Sequence, residues 1–357
     1  MCSRTNKGLS LCANVIVAVA AMIAWVAPAT SQAVEKSDVT FMLDWTISGT
    51  HAPFFIPQEK GYYKAAGLNV RLDRGTGAAN TAANVASGTY DFGWADIATM
   101  IGFNAQNPGK ELVLVYVHFQ DSPLAIISMK KAGIHKLKDL EGKTIGDQPG
   151  SATGAVIDVL TKAGTPDEIK IVRKFTAPQL REPMLIRGDV DAIMGFDVSS
   201  VMTLVDLGVP LDQISILKYT DIGFDVYGTG MWVRKDFLEK NPKTIAAMVA
   251  AVNKGTKDAI ADPRAAAELM KRYNQLLNVD IECDRLMMGL QHDLNDDVRK
   301  HGLSNVDPKR MQSSIDQVVK AMRYSHSPPL ALVWDAKFLP PEADRIPPPL
   351  GSCAAKK

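Results

Sequence analysis

Phe41-Met42-Leu43-Asp44-Trp45, then His51-Ala52-Pro53-Phe54-Phe55, then Glu59-Lys60-Gly61-Tyr62-Tyr63 decide how this chain is read. An apolar run suited to a strand ends on a carboxylate and an indole. A short turn containing glycine follows, and a helix then opens with His51 and Pro53. In open α/β sheets, ligands sit beyond the carboxyl ends of strands, against the N-termini of the helices that follow. The run therefore sets an acid, an indole and an imidazole at such a mouth.

The same alternation extends outward. Apolar runs predict strands over 39–45, 69–73, 90–94 and 112–117, separated by helices over 53–66, 77–87 and 97–105. A second unit opens near 124–129. It alternates helices over 153–163, 179–187 and 198–207 with strands over 144–146, 169–172, 190–194 and 214–218. An apolar strand over 228–233 returns, and from 242 the chain is mostly helical. Crossings near 122–129 and 227–233 make a two-strand hinge that permits closure around a ligand. The expected fold class is α/β, with one lobe inserted into another: 34–125 and 231–340 form the first, 126–230 the second.

At the start, Arg4 and Lys7 precede a nearly unbroken apolar stretch over 9–26, and Ala27-Pro28-Ala29-Thr30-Ser31-Gln32-Ala33 offers small residues. This is the pattern of a secretory signal over 1–33, cleaved after Ala33 or Ala29, so a periplasmic location is expected. Removing Arg4 and Lys7 and no acid turns 40 basic against 39 acidic residues into 38 against 39. Near-neutral charge leaves no electrostatic footprint for nucleic acid. Of the four cysteines, Cys283 and Cys353 remain after cleavage. An oxidising compartment permits their pairing, although the sequence favours leaving them apart. The Pro-rich segment over 341–357 is expected to be poorly ordered.

Candidate ligand contacts gather at strand-to-helix turns. Asp44, Trp45 and His51 come from the first. Trp94 and Asp96 come from the second, where capping of the next helix is the preferred role for Asp96. Ser151 and Thr153 belong to Gly150-Ser151-Ala152-Thr153-Gly154, where free N–H groups at a helix start suit an oxyanion or a carbonyl. Asp197, after Gly195-Phe196, and Tyr227 are candidates from the second lobe. Catalytic signals are weak: there is no G-x-S-x-G, no H-E-x-x-H and no paired-cysteine spacing. No cofactor is expected.

The D-W…H-A-P…E-K-G-Y pattern, together with Glu141-Gly142-Lys143-Thr144-Ile145-Gly146, resembles the thiamine-pyrimidine-precursor and nitrate/sulfonate/taurine solute-binding proteins of ABC importers. The resemblance covers about 39–340 and implies the two-lobe type II periplasmic-binding-protein fold. It also implies a monomer that captures a small molecule for a membrane permease and its ATPase. The opening run is closer to the pyrimidine-precursor binders, which favours a planar heteroaromatic ligand, with a sulfonate- or nitrate-like oxyanion as the alternative. Pyrimidine-synthase relatives carry a Lys and a His where this chain has Ala95 and Thr99, and a cysteine-rich run where it has residues 225–230. Both departures argue against an enzyme; a ligand-sensing domain is a further alternative.

Overall fold

The computed structural model describes residues 33–148, 152–162 and 164–354. Nearly all of the expected signal segment lies outside them, as do Gly150 and Ser151. Among the described residues ten strands occur: β1 (Asp38–Met42), β2 (Asn69–Asp73), β3 (Phe92–Asp96), β4 (Leu112–Val117), β5 (Leu124–Met129), β6 (Thr144–Asp147), β7 (Val172–Phe175), β8 (Ala192–Phe196), β9 (Ile214–Lys218) and β10 (Thr229–Arg234).

They form two five-stranded sheets, β2-β1-β3-β10-β4 and β7-β6-β8-β5-β9. In each, four strands run in one direction and a single antiparallel strand, β10 or β5, is inserted between the third and the fourth. The chain leaves the first sheet after β4, builds the whole of the second, and returns as β10. This is the two-lobe type II periplasmic-binding fold. Strands covered by helices on both faces read as continuous apolar runs, and Leu112–Val117 is buried at all six positions.

The two crossings, residues 118–123 and 219–228, are fastened to each other. Gly228 N–H donates to the Phe119 carbonyl at 2.9 Å, and His118 N–H to the Thr229 carbonyl at 2.8 Å. A Cβ on Gly228 would stand 2.5 Å from the Asp121 carbonyl oxygen, so only glycine allows this approach. Two helices of the C-terminal half reach both lobes. Met311, Ile315 and Val318 of Pro308–Ala321 share one cluster with Ile97 and Met100 of the first lobe and Val156 and Ile157 of the second. The helix Val279–Asp293 does the same on another side, through polar groups described below.

Several sequence expectations are corrected. The strand expected over 39–45 ends at Met42. The helix expected over 53–66 is two, Ala52–Glu59 and Tyr62–Ala65, divided at Gly61, whose φ of 72° a helix cannot continue. Cys283 and Cys353 are bonded, with Cα atoms 5.8 Å apart and 70 residues between them in sequence. Local spacing carries no sign of this, because the pairing depends on the end of the chain folding back. It does so with definite contacts: Gly351 N–H donates to the Ile260 carbonyl at 2.8 Å, and Leu350 packs against the first-lobe core. Glu342–Arg345 forms a helical turn whose Arg345 donates to the Leu303 carbonyl at 2.7 Å. Disorder is therefore not the state of residues 341–354.

Candidate functional site

A cleft of about 520 Å³ opens between the lobes at the carboxyl ends of the parallel strands. Its first-lobe wall starts where β1 stops. Past Met42 the chain leaves the pleat, and the Asp44 and Trp45 carbonyls accept from Gly77 N–H (2.7 Å) and Gly75 N–H (3.1 Å). Freed from strand alternation, Asp44 and Trp45 both line the cleft, each half-buried.

His51 follows, 2% exposed. Ser48 N–H donates to its Nδ1 at 3.1 Å, so that nitrogen carries a lone pair and the ring proton sits on Nε2. Nε2 in turn lies 3.1 Å from Asp44 Oδ1 and donates to it. Asp44 and His51 thus form one oriented unit at the mouth. Trp94 stands edge-on to His51 with ring centroids 5.3 Å apart. Its buried Nε1–H has no hydrogen-bond partner among the described residues.

Asp96 caps the helix Ile97–Gln106, accepting from Ala98 N–H at 2.9 Å and Thr99 N–H at 3.2 Å, and also from the Thr99 hydroxyl. Burial nevertheless pushes its carboxyl up to about 6, against those hydrogen bonds, and the nearby Asp44 charge acts in the same direction.

The second-lobe wall carries Thr153, Phe196 and Arg181. Two residues expected at the site are not there. Asp197, one position beyond Phe196, turns away from the cleft and lies 3.0 Å from His292 Nε2 at both carboxylate oxygens. Tyr227 is buried against the C-terminal helices: its hydroxyl accepts from Asp307 N–H at 2.9 Å, and the Arg310 guanidinium covers its ring at 4.5 Å. Both sit near turns that look like binding turns in sequence, but packing between lobes claims them. Ser151 lies outside the described residues.

Sequence reasoning missed Arg181, Glu282 and Arg285. Both arginines are engaged by the protein: Arg181 donates to the Met194 carbonyl at 2.5 Å, and Arg285 binds Glu282 and two backbone carbonyls. Nothing local marks these residues, since each reaches the cleft only through tertiary packing. The Thr76–Asn80 segment, which also lines the cleft, was missed as well, although Gly75-Thr76-Gly77 after β2 repeats the strand-to-helix turn and could have marked it.

No lysine lines the cleft among the described residues. Nor do they hold a group of three or more His, Cys, Asp or Glu side chains placed for a metal ion.

Residues 48–266 match the NMT1/THI5-like family. The chain belongs to that family. Among its relatives is 4-amino-5-hydroxymethyl-2-methylpyrimidine phosphate synthase of Schizosaccharomyces pombe, 26% identical over 235 residues, 63% of this chain and 66% of that protein. This NMT1/THI5-like chain thus spans about two thirds of the length of that synthase. It is also 24% identical over 289 residues to the riboflavin-binding protein RibY of Chloroflexus aurantiacus, 79% of this chain and 80% of that one. In fold it is similar to the alkanesulfonate-binding protein SsuA of Xanthomonas axonopodis pv. citri bound to MOPS. That structure has a TM-score of 0.60 at 17% identity, over 85% of this chain and 100% of the other.

Proposed function

We propose that this chain is the periplasmic substrate-binding component of an ABC importer, capturing a planar heteroaromatic molecule between its lobes for a permease. The observation that carries the choice of ligand is the charge of the cleft. Asp44 and Asp96 stand at its first-lobe wall beside a neutral His51, while Arg181 and Arg285 are already engaged by backbone carbonyls and Glu282. An oxyanion would meet carboxylates with few uncommitted cations to offset them. A neutral or cationic ring meets acceptors for its N–H groups and aromatic faces in Trp45 and Phe196, one from each lobe. The name of the riboflavin-binding relative fits such a ring, and the synthase relative's name includes a pyrimidine.

A second reading, a pyrimidine synthase, is favoured by the synthase relatives. Against it stand Ala95 and Thr99 at the positions of the synthases' Lys and His, and a cleft whose described lining offers no amine to a carbonyl cofactor. Titration calorimetry with riboflavin, 4-amino-5-hydroxymethyl-2-methylpyrimidine, taurine and nitrate tests the choice. Binding of a ring compound and not of the anions is expected; the reverse order overturns the ligand class. A pyrimidine product formed on incubation with pyridoxal phosphate and iron would overturn the binding role.

A further inference from the structure

The helix Val279–Asp293 joins the two walls of the cleft through its first turns. Glu282, 4% exposed, accepts from Gly49 N–H at 2.6 Å and from Arg285 Nε at 3.1 and 3.2 Å. Gly49 belongs to the loop that carries Trp45 and His51. A Cβ there would fall 2.1 Å from the Glu282 carbonyl oxygen, so loop and helix touch backbone to backbone. Arg285 Nη1 donates across to the second lobe, to the carbonyls of Val198 (3.1 Å) and Ser199 (2.8 Å). One buried ion pair therefore holds the ligand loop of one lobe and the helix start of the other, and both its members line the cleft.

Between the two lies Cys283, fully buried and bonded to Cys353. The strap that brings Cys353 back is itself seated on the end of the helix Pro242–Ala261, through the Gly351 to Ile260 hydrogen bond. The turn that presents Glu282 and Arg285 is thus tied covalently to a separately anchored segment.

We infer that Glu282 and Arg285 are positioning residues for the cleft and that the Cys283–Cys353 disulfide braces them, making full-affinity capture conditional on an oxidising compartment. In reduction the disulfide takes two electrons and two protons from a dithiol such as dithiothreitol, which closes to its own cyclic disulfide and leaves two protein thiols. Cys353 is half-exposed, so a reductant can reach it. Without the bond the tail is free to leave, and the first turn of Val279–Asp293 loses its tether.

The test uses mature protein in three forms: oxidised, reduced with dithiothreitol, and Cys353→Ser. Hydrogen exchange is followed by mass spectrometry in peptides covering 46–52, 279–293 and the second-lobe strand β8. Reduction and the substitution should each speed exchange in the first two peptides by about tenfold or more, the signature of a local opening, and leave β8 unchanged. Reoxidation should restore the slow rate. Glu282→Ala, with its disulfide intact, should speed 46–52 and leave β8 unchanged. Exchange at 46–52 that ignores the disulfide, or that rises equally in all three peptides, overturns the brace. A second arm rests on the ring-binding reading: riboflavin affinity should fall about tenfold on reduction and recover on reoxidation. If the oxidised protein binds no ring at all, the functional reading fails while the exchange data still judge the brace.

Discussion

His292 Nε2 lies 3.0 Å from both carboxylate oxygens of Asp197, joining the end of a first-lobe helix to the start of a second-lobe helix with both side chains buried. Asp197 also holds the hinge, since its N–H donates to the Pro123 carbonyl at 2.9 Å. Asp197→Ala removes both acceptor oxygens and leaves the buried His292 Nε2 without its partner. Such a group costs roughly 1–3 kcal/mol. A lower unfolding temperature is expected, with a larger radius of gyration by small-angle scattering as the lobes separate. An unchanged radius would mean the pair does not hold the lobes together.

Trp45 is half-buried at the cleft and belongs to no core cluster among the described residues. If it stacks on a planar ligand, its removal forfeits about 0.5–1.5 kcal/mol beyond the buried area, and total losses of roughly tenfold in affinity follow. Trp45→Ala should therefore weaken ring binding in calorimetry while leaving thermal unfolding cooperative and nearly unshifted. Undiminished affinity in this variant would move the ligand elsewhere.

Asp96 supplies a pH dependence whose sign is fixed. Its folded-state pKa of about 6 stands above the ordinary 3.8 because burial penalises the charge. The folded chain therefore keeps a proton that the unfolded chain releases between those values. Stability from this group is fully present below about 4 and is lost as pH rises through about 6. In thermal unfolding followed from pH 4 to 7.5, the wild type should lose stability relative to Asp96→Asn as pH rises across that window. Parallel profiles would show that Asp96 titrates normally.

Processing is open to direct measurement. The fold engages the chain at once after position 33: Val34 packs against the core, and the Glu35 carboxylate accepts from Thr244 N–H at 2.9 Å. N-terminal sequencing of exported protein should find Val34, or Thr30 if cleavage follows Ala29. Retention of Met1 would remove the signal-peptide reading.

Much of this protein is legible in its sequence because the relevant physics is local. Strand and helix periodicities place most elements, and an acid before two free N–H groups makes Asp96 a helix cap. The Asp44-Trp45…His51 run marks a ligand mouth because strand ends and helix starts are adjacent along the chain. The sequence alone thus determined the alternating α/β order, the family and half of the cleft wall. Tertiary structure decided the rest. It set Asp44 and Trp45 on the same side by taking them off the strand, gave Asp197 to His292 and Tyr227 to the C-terminal helices, and brought in Arg181, Glu282 and Arg285. It also paired Cys283 with Cys353. Each of these depends on segments tens to hundreds of residues apart meeting in space, and a packing relation of that range leaves no periodicity in the chain to read.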